Sequence, residues 1–270
     1  MKCSNDLINN IKGMLLFNCD KSNNTFAGLT LASATATTIN GLIADGSLLY
    51  VPFKKASDAL SANNQDADVA TDGYRTTDVN SARIGINALL DCIFGQTINQ
   101  ALKAGGAQMG YLVHKDGYLI GKLSDDGDTW EMIKLNVTLP SPLPNTPSVN
   151  STNMPNVQIS VNFGSTEEVA DWRMNAFAGL TSPNDLLELE MADLVPTSTT
   201  TAELRDFTNK VITGANDDST AGYVYSSGSA RTTSIANGVI TFTTTTAGET
   251  VTVEGSISGY RITKPIVMPS

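Results

Sequence analysis

The chain has 270 residues, 41% of them apolar and only 16% charged, with 17 Lys and Arg set against 27 Asp and Glu for a net charge of −10. That length holds one large domain or two modest ones, and the apolar fraction is enough for a core. Lys54–Lys55 is the only adjacent basic pair, which argues against a duplex-binding face, since such a face needs clustered cations to displace counterions from phosphates. No stretch approaches the roughly 18–20 apolar residues of a membrane span.

The N-terminal MKCSNDLINNIKGM lacks a signal-type apolar core, and Cys3 follows no apolar run, so a soluble product made in a cytoplasm is expected. Cys3, Cys19 and Cys92 match no metal knuckle or paired-cysteine motif. Three reduced thiols are expected, with a Cys3–Cys19 bridge an open but undemanded option.

In chain order, GMLLF (Gly13–Phe17) and SLLYVPF (Ser47–Phe53) read as strands, with Pro52 near an end where a missing N–H is tolerated. Lys54–Asn80 is a long polar loop rich in Asp, Asn, Ala and Thr, and a loop of that length usually serves a function. Ser81–Ala104 is expected to be an α-helix. Ile86, Leu89, Leu90, Ile93 and Leu102 fall at helical spacing, Asn80 or Ser81 can cap the start, and Gly105–Gly106 can stop it. Then comes an antiparallel run. Strand Gln108–His114 is followed by a turn at Lys115-Asp116-Gly117, strand Tyr118–Leu123 and a turn at Ser124–Asp128. Strand Thr129–Leu139 completes it, its alternation slipping at Met132–Ile133 as at a bulge.

Pro140–Pro155 carries five prolines in sixteen residues and is excluded from helix and central strand. Asn156–Phe163 alternates with Val157, Ile159, Val161 and Phe163 on one face. Ser165–Met174 reads as a short helix with Glu167 and Glu168 near its positive end. Asp185–Val195 reads as a strand, and Pro196–Thr201 as an extended connector between two domains, 1–196 and 197–270. The Thr-rich remainder has short strand candidates at regular spacing and an Asn237-Gly238 hairpin signal, the pattern of a small β-sandwich. The fold class is therefore mainly β (α+β), with one flanking α-helix.

Residues able to carry chemistry are few. His114 is the only histidine, and a surface or turn position is expected for it. No Gly-x-Ser-x-Gly elbow accompanies it, and one His with scattered cysteines leaves no usual zinc set. Asp125, Asp126 and Asp128 surround Gly127, and Asp66, Asp68 and Asp72 lie in the long loop. Neither group has EF-hand spacing, and both read as solvated turns or loops. Glu167–Glu168 are adjacent, which on a helix points them apart rather than making a glycosidase pair. Trp130 and Trp172 are single aromatics in amphipathic segments, expected in packing rather than as a base-stacking platform. No catalytic, cofactor-binding or metal residue is assigned, and no enzymatic activity or cofactor is expected.

SLLYVPF, the Lys54–Asn80 loop, the Ser81–Ala104 segment, GYLVHKDGYLIGKL and NVQISVNF, followed by the Thr-rich tail over roughly 200–268, together resemble a long-tailed bacteriophage tail tube protein with a C-terminal Ig-like domain. The resemblance implies a tail-tube-like β-sandwich or barrel over 1–196 and an Ig-like β-sandwich over 197–270. It implies hexameric rings stacked into a tube in the virion, assembled in the bacterial host cytoplasm. Partners would then be copies of the chain and other virion proteins, with genomic DNA only a non-specific passenger and no membrane. Lys54–Asn80 would be the stacking loop and Pro140–Pro155 a second contact. Residues 1–196 hold 12 basic and 21 acidic residues, so an acidic lumen that repels DNA fits the charge. Two alternatives stay open: a capsid, head-decoration or neck protein with the same tail, and a surface adhesin or carbohydrate-binding module.

Overall fold

The computed structural model describes residues 10–18, 24–53, 85–91, 108–138, 156–162, 171–206, 208–216, 224–226, 229–230, 233–243, 245–253, 255–262 and 265–270. Strands dominate them, accompanied by one α-helix. They form two compact units, the first from described residues of Met1–Phe17, Thr25–Ile39 and Tyr50–Leu186, the second from those of Asn18–Asn24, Asn40–Leu49 and Leu187–Ser270.

The first unit is built on β1 (Ile11–Phe17), β2 (Gly28–Thr30), β3 (Leu48–Pro52), β4 (Gly85–Asp91), β5 (Gln108–His114), β6 (Leu119–Leu123), β7 (Thr129–Glu131), β8 (Ile133–Thr138), β9 (Asn156–Asn162) and β10 (Trp172–Asn175). They form one curled sheet in the order β2-β7-β6-β5-β8-β9-β4, with β1 joining β5 to β3 and β10 joining β6. GMLLF, SLLYVPF and the run from Gln108 to Thr138 fold as the strands expected of them. The expected phase slip at Met132 is real and has a purpose. β7 pairs with β6 through Leu123↔Trp130, whereas β8, beyond Met132, pairs with β5 through Gly110↔Ile133. One run of sequence thus serves two neighbours. β8 switches again, leaving β5 after Leu135 to pair Asn136–Thr138 with β9.

β5 is the centre of this sheet. In register, Leu112 and Ile120 share one face while Val113 and Leu119 share the other, and all four are buried. Antiparallel sheets commonly leave one face wet; here both are covered, which is why β1, β5 and β6 read as near-continuous apolar runs. β1 lies against β5 from Ile11↔His114 to Leu16↔Gly110. A side chain at Gly110 would drive its Cβ into the carbonyl oxygen of Leu15 and onto Leu135. The glycine is therefore a condition of the β1–β5 approach.

Two helix expectations are corrected. Gly85–Asp91 is a strand, not the first part of a Ser81–Ala104 helix; the rest of that segment lies outside the described residues, as do Lys54–Asn80 and Pro140–Pro155. Ile86, Leu89 and Leu90 satisfy a helical stripe, but Ile86, Ala88 and Leu90 also alternate. The register sets those three opposite Val161, Ile159 and Val157 of β9, across seven residue pairs. Cross-strand pairing of two alternating segments outweighs a helical propensity already weakened by Gly85 and Gly95. Likewise Trp172–Asn175 is a strand on β6, not the end of a Ser165–Met174 helix. The helix that does exist, α1 (Ala36–Ala44), was not expected. Thr35 caps it, its Oγ accepting from the Thr38 N–H at 3.2 Å while the Thr38 Oγ accepts from the Thr35 N–H at 2.6 Å. This is a reciprocal box made from two threonines in place of the usual Ser and Glu.

The second unit holds β11 (Glu190–Pro196), β12 (Thr201–Arg205), β13 (Val224–Ser226), β14 (Ser229–Ala230), β15 (Thr233–Ala236), β16 (Val239–Phe242), β17 (Thr250–Val253), β18 (Ser256–Ile257), β19 (Tyr260–Ile262) and β20 (Ile266–Val267). Two sheets result, ordered β15-β16-β12-β11-β19-β18 and β14-β13-β17-β20. Leu194, Leu204, Ile240 and Phe242 of the first and Val251, Val253 and Ile266 of the second share one buried cluster, so the unit is a sandwich. Pro196–Thr201 is not an extended connector. It is a tight loop joining β11 to β12, whose Pro196↔Ala202 pairing sets both in one sheet. The Thr197 and Ser198 N–H groups both donate to the Thr201 carbonyl, and the Thr245 hydroxyl donates to that of Thr199. Within the loop the Thr197 hydroxyl donates to the Thr201 carbonyl and the Ser198 hydroxyl accepts from the Thr200 N–H, and hydroxyl side chains bonding to nearby backbone favour such turns over extended chain. Asn237-Gly238 forms the expected two-residue hairpin, both residues at positive φ (52° and 77°), the geometry that matches strand twist.

Two outcomes are expected in urea-unfolding measurements. Gly110→Ala should destabilise the first unit by about 3 kcal/mol through overpacking against Leu15. Phe242→Ala should destabilise the second by about 4 kcal/mol, the cost of emptying a buried aromatic site.

Candidate functional surface

The residues singled out for chemistry are dispersed. His114 ends β5 and is buried, 7% exposed, rather than on the surface as expected. The burial follows from β1, whose Ile11 lies opposite it. Its Nδ1 accepts from the Asp116 N–H at 3.3 Å, and Asp116 Oδ2 stands 3.4 Å away. Burial pushes the imidazole below its usual pKa, outweighing the pull of Asp116 in the opposite direction. An imidazole accepting a turn N–H at Nδ1 is a structural neutral histidine.

Asp125, Asp126 and Asp128 are exposed around the β6–β7 turn. Asp126 accepts from the Ser124 hydroxyl and the Asp128 N–H, and these bonds hold its carboxyl below the usual range. It closes the turn on itself and leaves no convergent ligand set. Trp130 is buried on β7, its indole against Gly121, where any Cβ would meet Nε1. That Nε1 has no hydrogen-bond partner among the described residues. Trp172 is half-buried on β10. Cys3, Cys19, Cys92, Asp66, Asp68, Asp72, Glu167 and Glu168 lie outside the described residues. Among the described residues no three His, Cys, Asp or Glu side chains gather as a metal site, and no helix is long and apolar enough to cross a membrane. Tyr111, whose hydroxyl donates to the Trp130 carbonyl at 2.6 Å, has its ionisation driven far upward by burial, so it too is a packing residue.

The surface features with consequence are the sheet margins. Among the described residues β4 pairs with β9 alone and ends the first sheet. It is seven residues long, GINALLD, with no proline and no lysine or arginine. Strand edges invite pairing unless shortened, charged or interrupted by proline, and β4 has only the Asp91 at its end. β10 is shorter, with Arg173 exposed in its middle and Met174 44% exposed. Of the second unit's margins, β15 has four residues and β14, β18 and β20 have two each. The β4 margin is concealed in the amino-acid order because its apolar residues also satisfy helical spacing. Its match to the alternation of β9 is the signal that distinguishes the two.

Comparison with protein families, with curated proteins and with solved structures finds no match to this chain.

The folded pKa of His114 lies below its ordinary 6.5. Protonation therefore favours the unfolded chain, and the contribution of this residue is fully present above pH 6.5 and is lost as pH falls through the folded-state value. Unfolding free energy measured from pH 8 downward should begin to decline near pH 6.5, and His114→Gln should flatten the upper part of that decline.

Proposed function

We propose that this chain is a self-assembling structural protein of a bacteriophage virion, a tail tube subunit whose copies close into rings and stack. The observation that carries the reading is the β4 margin: a seven-residue strand edge without the usual guards is suited to completion by another strand. A margin paired with a neighbouring copy, repeated by rotation, closes a ring, and repeated translation of rings makes a tube.

Three further features support it. The second unit runs β15-β16-β12-β11 in one sheet, which β19 and β18 extend beyond β11, and β14-β13-β17-β20 in the other. That neighbour order corresponds to strands D-E-B-A and C′-C-F-G of an immunoglobulin-type sandwich, as the Ig-like module of such proteins requires. The acidic excess lies almost wholly in residues 1–196, which suits a lumen that lets DNA slide without binding. The polar segments 54–80 and 140–155 have the length to reach between rings. In this reading the first unit is the assembly domain and the second unit, whose sandwich takes in β11 and so begins before residue 197, is the Ig-like decoration.

Cryo-electron microscopy of the purified full chain tests it. Hollow tubes of stacked rings are expected. Particles that stay monomeric at the highest attainable concentration, or that form only isolated spikes, would sink the tube reading, the latter in favour of a decoration protein. In tubes, the lumen should be lined with Asp and Glu; a basic lining would remove the sliding argument.

A further inference from the structure

The second unit has its own margin, and its chemistry is the reverse of β4. β20 carries Val267, the most exposed large apolar residue among those described at 58%, between the buried Ile266 and Met268. Among the described residues β20 pairs with β17 alone, through Thr250↔Val267 and Val251↔Ile266. The Met268 N–H donates to the Glu249 carbonyl and the Met268 carbonyl accepts from the Gly248 N–H. Met268 therefore turns both backbone groups toward β17. Backbone groups alternate between the two sides of a strand, so Val267 turns its N–H and carbonyl to the open side. Residues 265 and 269 share that phase, and both are proline.

We propose that Pro265 and Pro269 close the β20 margin against a second copy of this chain, so that the second unit cannot extend its four-stranded sheet from subunit to subunit. Two β20 strands meeting antiparallel about Val267 would set Val267 opposite Val267, and position 265 of each opposite 269 of the other. Each such pair exchanges two hydrogen bonds, so three pairs would make six. Proline has no N–H to donate, and with it at both outer positions only the central pair keeps its bonds. Val267 would otherwise be a liability, an exposed β-branched residue centred on an open edge. The exposed valine and the flanking prolines are thus one arrangement, and it does not depend on what the first unit assembles into.

The hydrogen-bond count is graded. Pro269→Thr restores one donor per strand, and Pro265→Thr with Pro269→Thr restores both. A p-benzoylphenylalanine photoprobe at position 267 of the full chain reads this margin and no other. The measurement uses the lowest-mass fraction from size exclusion, so that ring or tube formation elsewhere does not contribute. The covalent dimer yield should rise from the natural chain to Pro269→Thr to the double variant, by about tenfold overall. Circular dichroism spectra and thermal midpoints should show each variant folded. The single variant, which lies beyond the β17 ladder, keeps the test usable if the double variant does not fold. Equal yields across the series, or a natural chain that already cross-links as strongly as the variants, would overturn the proposal.

Discussion

The structure of the first unit rests on the enclosure of β5 from Gly110 to His114. A strand buried on both faces must satisfy its backbone groups entirely through its edges, because an unpaired buried N–H or carbonyl costs about 1–3 kcal/mol. β5 does so by taking β1 along one edge and dividing the other between β6 and β8. That division forces the break at Met132, since the run from Thr129 to Thr138 must supply β7 to β6 and β8 to β5. It also forces a glycine at position 110, where β1, β5 and Leu135 converge. The curled form of the sheet is therefore a consequence of feeding one central strand from three directions.

The same accounting explains why the margins differ. Once β8 has left β5 it carries β9 and β4 with it, so the last strand of the sheet is long. Length is what makes an edge adhesive, since each added residue pair adds to the ladder. In the second unit the chain instead crosses between two sheets after β12, β14, β16, β17 and β19, so its strands are short and its edges brief. The one such margin with a prominently exposed apolar residue has proline on either side of it.

Much of this was legible in the amino-acid order. The apolar run of Gln108–His114, the Asp116-Gly117 and Asn237-Gly238 turns and the slip at Met132 are local signals, and local signals survive into the fold. The β4 strand was not legible alone, because Ile86, Leu89 and Leu90 fit a helix and a strand equally. The decision was made by β9, some seventy residues away. α1 was missed for the opposite reason. Thr37, Thr38 and Gly41 are poor helix formers, and it is held by the reciprocal Thr35–Thr38 cap and by burial of Ile39 and Ile43. Pro196–Thr201 misled because composition indicates extended chain, whereas hydroxyl-to-backbone bonds fold it into a turn. His114 misled because a turn-flanking position implies exposure, until β1 is laid beside it.

Several described polar groups that sequence could offer for chemistry are tied into turns and packing. A catalytic constellation needs several polar groups converging on one point that a substrate can reach. Here His114, Asp126 and Tyr111 are each engaged by their own neighbours. His114 Nδ1 holds the Asp116 N–H, Asp126 holds Ser124 and Asp128, and the Tyr111 hydroxyl holds the Trp130 carbonyl. Asp185 likewise accepts from the Thr181 and Ser182 N–H groups, and Asp206 from those of Thr208 and Lys210. Polar side chains used this way fix turns, and fixed turns set strand register.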